Sequence, residues 1–147
     1  MSTGKVLPFD ATLTVRDRCL CLHLQRAARA VARRFDDALR PHGLTNGQFS
    51  LLMSLNRAEP PTLGSVAALL AMDRTTLTAA LKPLERRSLV RVIVDATDRR
   101  SRRLVLTPAG HAVLIAALPA WRGEHDAIDR ALAADPDRLR ADLRALA

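Results

Sequence analysis

The sequence predicts a mainly α-helical fold with one small β-hairpin. Three observations carry this. Apolar residues recur at helical spacing over most of the 147 residues. That period gives way once, to the β-branched run Leu89-Val90-Arg91-Val92-Ile93-Val94. The helical stretches open on Thr or Asp and close near Pro or Gly.

Composition narrows the class. Hydrophobic residues at 48% support a buried core, and charged residues at 26% argue against a membrane protein. The net charge is +8, and 21 of the 23 basic residues are Arg. Guanidinium groups suit phosphates and base edges, which they bind through two parallel donors. Aromatics reach only 3% with no Tyr, which argues against a stacking platform for single strands. The N-terminal MSTGKVLPFDATL lacks the apolar core of a signal peptide, and no apolar run has the roughly 18 residues of a membrane span. A cytoplasmic protein is expected, with Cys19 and Cys21 reduced at rest.

The elements follow in order. Residues 1–12 read as a loose arm. Thr14 with Asp17 resembles a capping box, and Leu20, Leu24, Ala27, Ala28, Val31, Phe35, Ala38 and Leu39 continue one helix to Arg40, before Pro41 and Gly43. At 1.5 Å per residue such a helix is roughly 39 Å long, more than a small core needs. Thr45, with Gln48 three residues on, starts a second helix buried through Phe49, Leu51, Leu52 and Leu55 and broken by Glu59-Pro60-Pro61. Thr62 starts a short third helix. Asp73 caps a fourth, running to Arg87, with Leu77, Leu81 and Leu84 on one face and Thr75, Thr78, Ala79, Lys82 and Arg86 on the other. Residues 89–94 and 103–106 form the hairpin, with 95–102 its polar tip. Thr107-Pro108 opens another helix, which Pro119 is expected to kink, and Asp135-Pro136 opens the last.

Two short helices, a third with a polar face, and a basic hairpin make a winged helix-turn-helix over 45–106. The whole chain, 1–147, reads as a single domain. Residues 73–103 hold nine basic residues against four acidic ones, so +5 of the +8 lies in about a fifth of the chain. The exposed face of the 73–87 helix has the chemistry to enter a major groove about 12 Å wide.

Met72-Asp73-Arg74-Thr75-Thr76-Leu77-Thr78, Leu84-Glu85-Arg86-Arg87-Ser88-Leu89-Val90, Asp95-Ala96-Thr97-Asp98-Arg99-Arg100 and Leu106-Thr107-Pro108-Ala109-Gly110 together resemble the MarR (multiple antibiotic resistance regulator) family. The resemblance runs from about residue 14 to the C-terminal helices. It implies a homodimeric transcriptional regulator, usually a repressor, on a pseudo-palindromic stretch of double-stranded DNA. Helices in 14–40 and 108–147 would form the dimer, with half-sites about one helical turn apart. The apolar residues expected to need a partner are Leu114, Leu118, Trp121, Ile128, Leu132, Leu139 and Leu143.

The implied DNA contacts are Arg74, Thr75, Thr76, Thr78, Ala79, Lys82 and Arg86 on the helix, with Asp98, Arg99, Arg100 and Arg102 on the wing. Arg99 is assigned to the minor groove, with Asp98 and Arg100 bracing the wing by ion pairs; Arg99 and Arg100 are interchangeable in these roles. Three departures from the family pattern stand out. Ala79-Ala80 replaces an Arg common in members, Ser88 replaces a Gly, and Pro83 lies inside the recognition helix. A left-handed Ser88 would cost on the order of 1 kcal/mol, and an interior Pro about 3 kcal/mol. Pro83 is expected to kink the last turn and aim Arg86 and Arg87 at the DNA backbone.

Cys21-Leu22-His23-Leu24-Gln25-Arg26-Ala27-Ala28-Arg29 is similar to the organic-hydroperoxide-sensing branch, which makes Cys21, with Cys19 nearby, a candidate redox site. Arg16, Arg18 and Arg26 would favour thiolate, whereas the tyrosines of that branch are missing. The alternative is a structural cysteine. Family precedent for an effector is a small aromatic or phenolic acid, with His23, Arg26, Phe49 and Met53 as its candidate lining. His23, His42, His111 and His125 lack metal-ligand spacing, so no metal or cofactor is expected. No Gly-rich phosphate loop or Ser-His-Asp layout suggests an enzyme. A DNA-coating protein without sequence preference stays open as an alternative.

Overall fold

The computed structural model describes residues 4–147, so the first three residues of the expected arm lie outside it. The chain falls into two compact units, one ending at Arg34 and one spanning Phe35–Ala147. No helix among the described residues is long and apolar enough to cross a membrane.

The first unit corrects the sequence reading. A helix, α1, already spans Phe9–Arg18, so the loose arm ends at Pro8, which stands at the N-cap. Thr14 is no cap: it lies inside α1, and its hydroxyl donates to the Asp10 carbonyl at 3.0 Å. The expected long helix is broken at Cys19, whose backbone is extended (φ −68°, ψ 104°). The second helix, α2, runs Leu20–Leu39. No Gly or Pro marks the break. Its ends are satisfied locally: Cys19 N–H bonds the Val15 carbonyl at 2.9 Å, and the Cys19 thiol accepts the Leu22 N–H at 3.4 Å. Sulfur thus takes the place of an N-cap oxygen for one of the orphan donors of α2.

In the larger unit a 3-10 turn, Arg40–His42, ends at Gly43 in the left-handed conformation (φ 70°). Helix α3 (Asn46–Ser54) carries the expected capping box between Thr45 and Gln48. Asp36 accepts both the backbone and side-chain N–H of Asn46, at 2.7 and 2.8 Å, and these bonds hold its carboxyl below the usual range. Helix α4 (Leu63–Leu69) is capped by Thr62 and helix α5 (Arg74–Arg86) by Asp73. Strands β1 (Val90–Val94) and β2 (Arg102–Leu106) pair antiparallel, Val90 opposite Leu106 and Val94 opposite Arg102. Helix α6 (Pro108–Ala131) starts on Thr107, and α7 (Pro136–Arg144) on Asp135. Both α5 and α6 continue through their internal prolines, Pro83 and Pro119.

The core is one cluster within this unit. Leu39, Leu52, Val66, Leu77, Leu84 and Leu104 are fully buried in it. Leu114 also belongs to it, while Leu118 and Trp121 pack against its edge. Leu114 therefore finds its partners within the chain, while Leu118 and Trp121 are only partly covered there. Leu132, Leu139 and Leu143 stay exposed. Trp121 stacks on Phe35 at 6.2 Å and on Phe49 at 5.9 Å between ring centres. Arg140 binds both oxygens of Asp129 (2.5 and 2.6 Å), tying α7 to α6 and raising the guanidinium's affinity for its proton.

Two left-handed residues lack the freedom of glycine. Ser88 (φ 58°), where the family pattern has Gly, follows α5; Ala71 (φ 52°) sits in the turn between α4 and α5. Each costs on the order of 1 kcal/mol. The turn at Ser88 is closed by Leu89 N–H on the Leu84 carbonyl (3.0 Å) and by Thr107 Oγ1, which donates to the Ser88 carbonyl at 2.6 Å.

Candidate nucleic-acid interface

Helix α5 has two faces set by its sequence. Leu77, Leu81 and Leu84 fall at i, i+4 and i+7 and are buried to 1% exposure or less. Arg74, Thr75, Thr76, Thr78, Ala79, Lys82 and Arg86 all remain exposed, as the sequence predicts. The N-terminus is held by Asp73, which accepts the Thr76 N–H (2.7 Å) and hydroxyl (2.9 Å). Those bonds draw the Asp73 carboxyl below its ordinary pKa. The Thr78 hydroxyl donates to the Arg74 carbonyl at 2.8 Å, so its oxygen faces outward as an acceptor. Arg74 lies against Gly64, where a Cβ would meet its guanidinium at 2.9 Å.

The cations divide into two kinds. Arg87 donates to the Gly43 carbonyl at 2.7 Å, so it anchors the end of α5 to the turn before α3 rather than reaching outward past Pro83. Arg102 donates to the carbonyls of Arg99 (3.0 Å) and Ser101 (3.4 Å), folding over the wing tip. Arg103 donates to Asp95 (2.8 Å) and to the Pro60 carbonyl (2.6 Å). Lys82, Arg86, Arg99 and Arg100 make no side-chain bond of this kind among the described residues, and all four are exposed.

The wing brace also differs from the expectation. Among the described residues Asp98 and Arg100 form no ion pair; the Asp98 carboxylate instead accepts the Arg100 backbone N–H at 3.0 Å, an Asx turn that shapes the tip. The ion pair of the wing is Asp95–Arg103. Asp95 also accepts the Thr97 hydroxyl at 3.1 Å. The Arg103 bond, first, and the Thr97 bond hold its carboxyl below the usual range. By composition alone Arg103 is one more positive charge of the wing, and Asp95 lies outside the expected site. The hairpin register carried the signal: Asp95 lies two residues beyond Ile93, which pairs with Arg103, so the two are diagonal neighbours on one face.

A further contact ties the wing to the helices. Leu104 N–H bonds the Pro61 carbonyl at 2.9 Å, and Thr62 forms a bridge with Arg103. The segment before α4 thus meets β2 through a single isolated β-bridge.

The candidate effector residues are divided between two hollows. His23 and Arg26 line one of about 550 Å³ with Ala27, Arg29, Ala30 and Arg33, all on α2. Phe49 and Met53 line another of about 380 Å³, walled by Ser50, Ser54, Leu69, Leu70 and Trp121. The second is the more apolar and the only one of the two with aromatic walls. Both cysteines are unpaired; Cys21 is exposed and accepts the Gln25 side-chain N–H at 3.3 Å. No cluster of three His, Cys, Asp or Glu residues suited to a metal occurs among the described residues.

Comparison with known proteins gives the same outline. The model of the MarR family matches residues 44–101. The DNA complex of the Mycobacterium tuberculosis transcriptional regulator MosR is 40% identical, with a TM-score of 0.81 over 88% of this chain and 93% of that one. The transcriptional repressor CouR, solved on a 23-mer DNA duplex, is 29% identical, with a TM-score of 0.76 over 97% of this chain and 96% of its own. The transcriptional activatory protein BadR of Rhodopseudomonas palustris is 32% identical over 107 residues, covering 71% of this chain. The match spans 61% of BadR's own length.

Proposed function

The chain belongs to the MarR family, and on that footing we propose that it is a homodimeric, sequence-specific regulator of transcription that binds double-stranded DNA. The observation that carries this reading is the division of labour on α5 and the wing. One face of α5 is locked into the core by three fully buried leucines, while Lys82 and Arg86 on the other face, and Arg99 and Arg100 on the wing, stay uncommitted. Solved relatives hold DNA with the same fold: MosR has a structure in complex with DNA and CouR one on a 23-mer duplex. In this reading α5 enters a major groove and Arg99, or Arg100 beside it, an adjacent minor groove. Exposed apolar residues on α6 and α7 (Ile115, Leu139, Leu143) supply surface for a second copy.

Repression relieved by a small aromatic acid is the regulatory half of the proposal. The hollow of Phe49, Met53 and Trp121 supports it, being large enough for a single-ring ligand and aromatic on two sides. The test is a gel shift at matched salt, with one duplex carrying the sequence upstream of the gene and one of scrambled order. Preference for the first is expected, and Arg99→Ala should weaken binding and lower the salt slope by about one contact. Equal affinity for both duplexes would leave a DNA-coating protein instead. Sedimentation at the same salt should give a dimer.

A second reading, that the regulator senses peroxide through Cys21 with Cys19, is favoured by the break in helical structure at Cys19 and by the exposure of Cys21. Peroxide should then release DNA from the wild type and not from Cys21→Ser. Unchanged affinity in both removes this reading.

A further inference from the structure

We infer that Asp95 and Arg103 are positioning residues for DNA binding: they act through Arg99, by fixing where the wing tip stands, and do not touch the duplex themselves. The inference rests on the DNA-binding reading above. Arg103 joins segments 43 residues apart. Its Nε donates to Asp95 at 2.8 Å and its Nη1 to the Pro60 carbonyl at 2.6 Å. Pro60 precedes the Thr62 cap of α4, the helix that leads into α5. The guanidinium therefore connects the hairpin to the helices that present the recognition face.

Its place along the hairpin matters as much as its partners. The strand ladder ends at the Val94–Arg102 pair. Beyond it the tip is held by Asp95 N–H on the Ser101 carbonyl (3.0 Å), by Ser101 N–H on the Asp98 carbonyl (3.0 Å), by the Asx turn at Asp98, by Arg102 on the Arg99 carbonyl (3.0 Å), and by the Asp95–Arg103 pair, the one of these contacts that continues, through Arg103, to the Pro60 carbonyl. Leu104 on Pro61 secures the base of the wing independently. Losing the pair should therefore loosen the tip that carries Arg99 while leaving the hairpin formed. Asp95 retains 10% of its side-chain exposure and Arg103 32%, so the pair is sheltered from water where its geometry can be held. A group that must meet a narrow groove while α5 sits in the next one needs such support, because ångström-scale errors in placement cost binding.

The competing view makes Arg103 a phosphate contact, with Asp95 merely dampening its charge. The two views predict opposite signs for Asp95→Ala, which removes a negative charge beside the DNA. The probe is a duplex enriched by the wild-type protein from a random-sequence library, with affinity read by fluorescence anisotropy at fixed salt. Positioning predicts that Asp95→Ala binds about tenfold more weakly despite the added positive charge. It also predicts that Asp95→Ala adds little further loss once Arg99 is already alanine, since both act through the same contact. Tighter or unchanged binding by Asp95→Ala, or penalties that simply add in the double variant, would overturn it. If Asp95→Ala does not melt cooperatively, Asp95→Asn, which keeps the shape and loses the charge, is read in the same cycle. Failure of the wild type to enrich any duplex would take down the DNA-binding reading first, and this one with it.

Discussion

Gly110 and Gly123 lie in the same helix, α6, yet the same substitution should move stability in opposite directions. A Cβ on Gly110 would stand 2.3 Å from the Leu89 carbonyl oxygen and 2.7 Å from Leu106 Cδ1. The Leu89 oxygen is not free to retreat, because it accepts the Thr107 N–H at 3.1 Å. Moving it strains the turn that joins α5 to the wing and weakens that bond. Overpacking of this kind costs about 1–3 kcal/mol and a weakened hydrogen bond about 1 more, against a helix-propensity gain of about 1, so Gly110→Ala should lose about 1–3 kcal/mol. A Cβ on Gly123 meets nothing within 4 Å, so there the propensity gain of about 1 kcal/mol should appear alone. Urea unfolding followed by circular dichroism, at one protein concentration, measures both. If Gly110→Ala proves as stable as Gly123→Ala, the close approach of α6 to Leu89 is wrong, and with it the account of how the wing is seated.

Two further outcomes follow from particular residues. Ala71→Gly should raise stability by up to about 1 kcal/mol in the same assay, because the left-handed backbone at Ala71 strains a Cβ and suits glycine. The carboxyls of Asp36, Asp73 and Asp95 are all held below their unfolded values by hydrogen bonds in the folded chain. Their contribution is therefore full above the unfolded pKa near 3.9 and lost as pH falls through the folded values. Melts taken from pH 5 downward should show a progressive fall, shallower in Asp36→Asn.

The caps were readable because they are local. Thr45, Thr62, Asp73, Thr107 and Asp135 each sit where the sequence puts them, since an N-cap needs only one side-chain oxygen two or three residues before its donor. The buried stripe of α5 was readable for the same reason, being a matter of period. The break at Cys19 was not: it depends on one backbone angle, at a residue that neither stiffens nor frees the chain. Pro8 did carry a signal for the start of α1, and Thr14–Asp17 imitated a cap that helix α1 runs straight through. The role of Arg103 was hidden because its partner carbonyl lies 43 residues away. The ion pair expected of Asp98 is absent for the opposite reason: Arg100, two residues on, donates its backbone N–H to the carboxylate in place of its guanidinium.

The stack of Phe35, Trp121 and Phe49 gives the protein its own optical probe. Trp121 is the sole tryptophan, it is partly buried, and one of its surfaces faces the same hollow as Met53 and Phe49. Any molecule entering there must change the surroundings of the one strongly emitting ring. Candidate compounds can accordingly be screened by ultraviolet emission alone, on unlabelled protein and with no DNA in the cuvette.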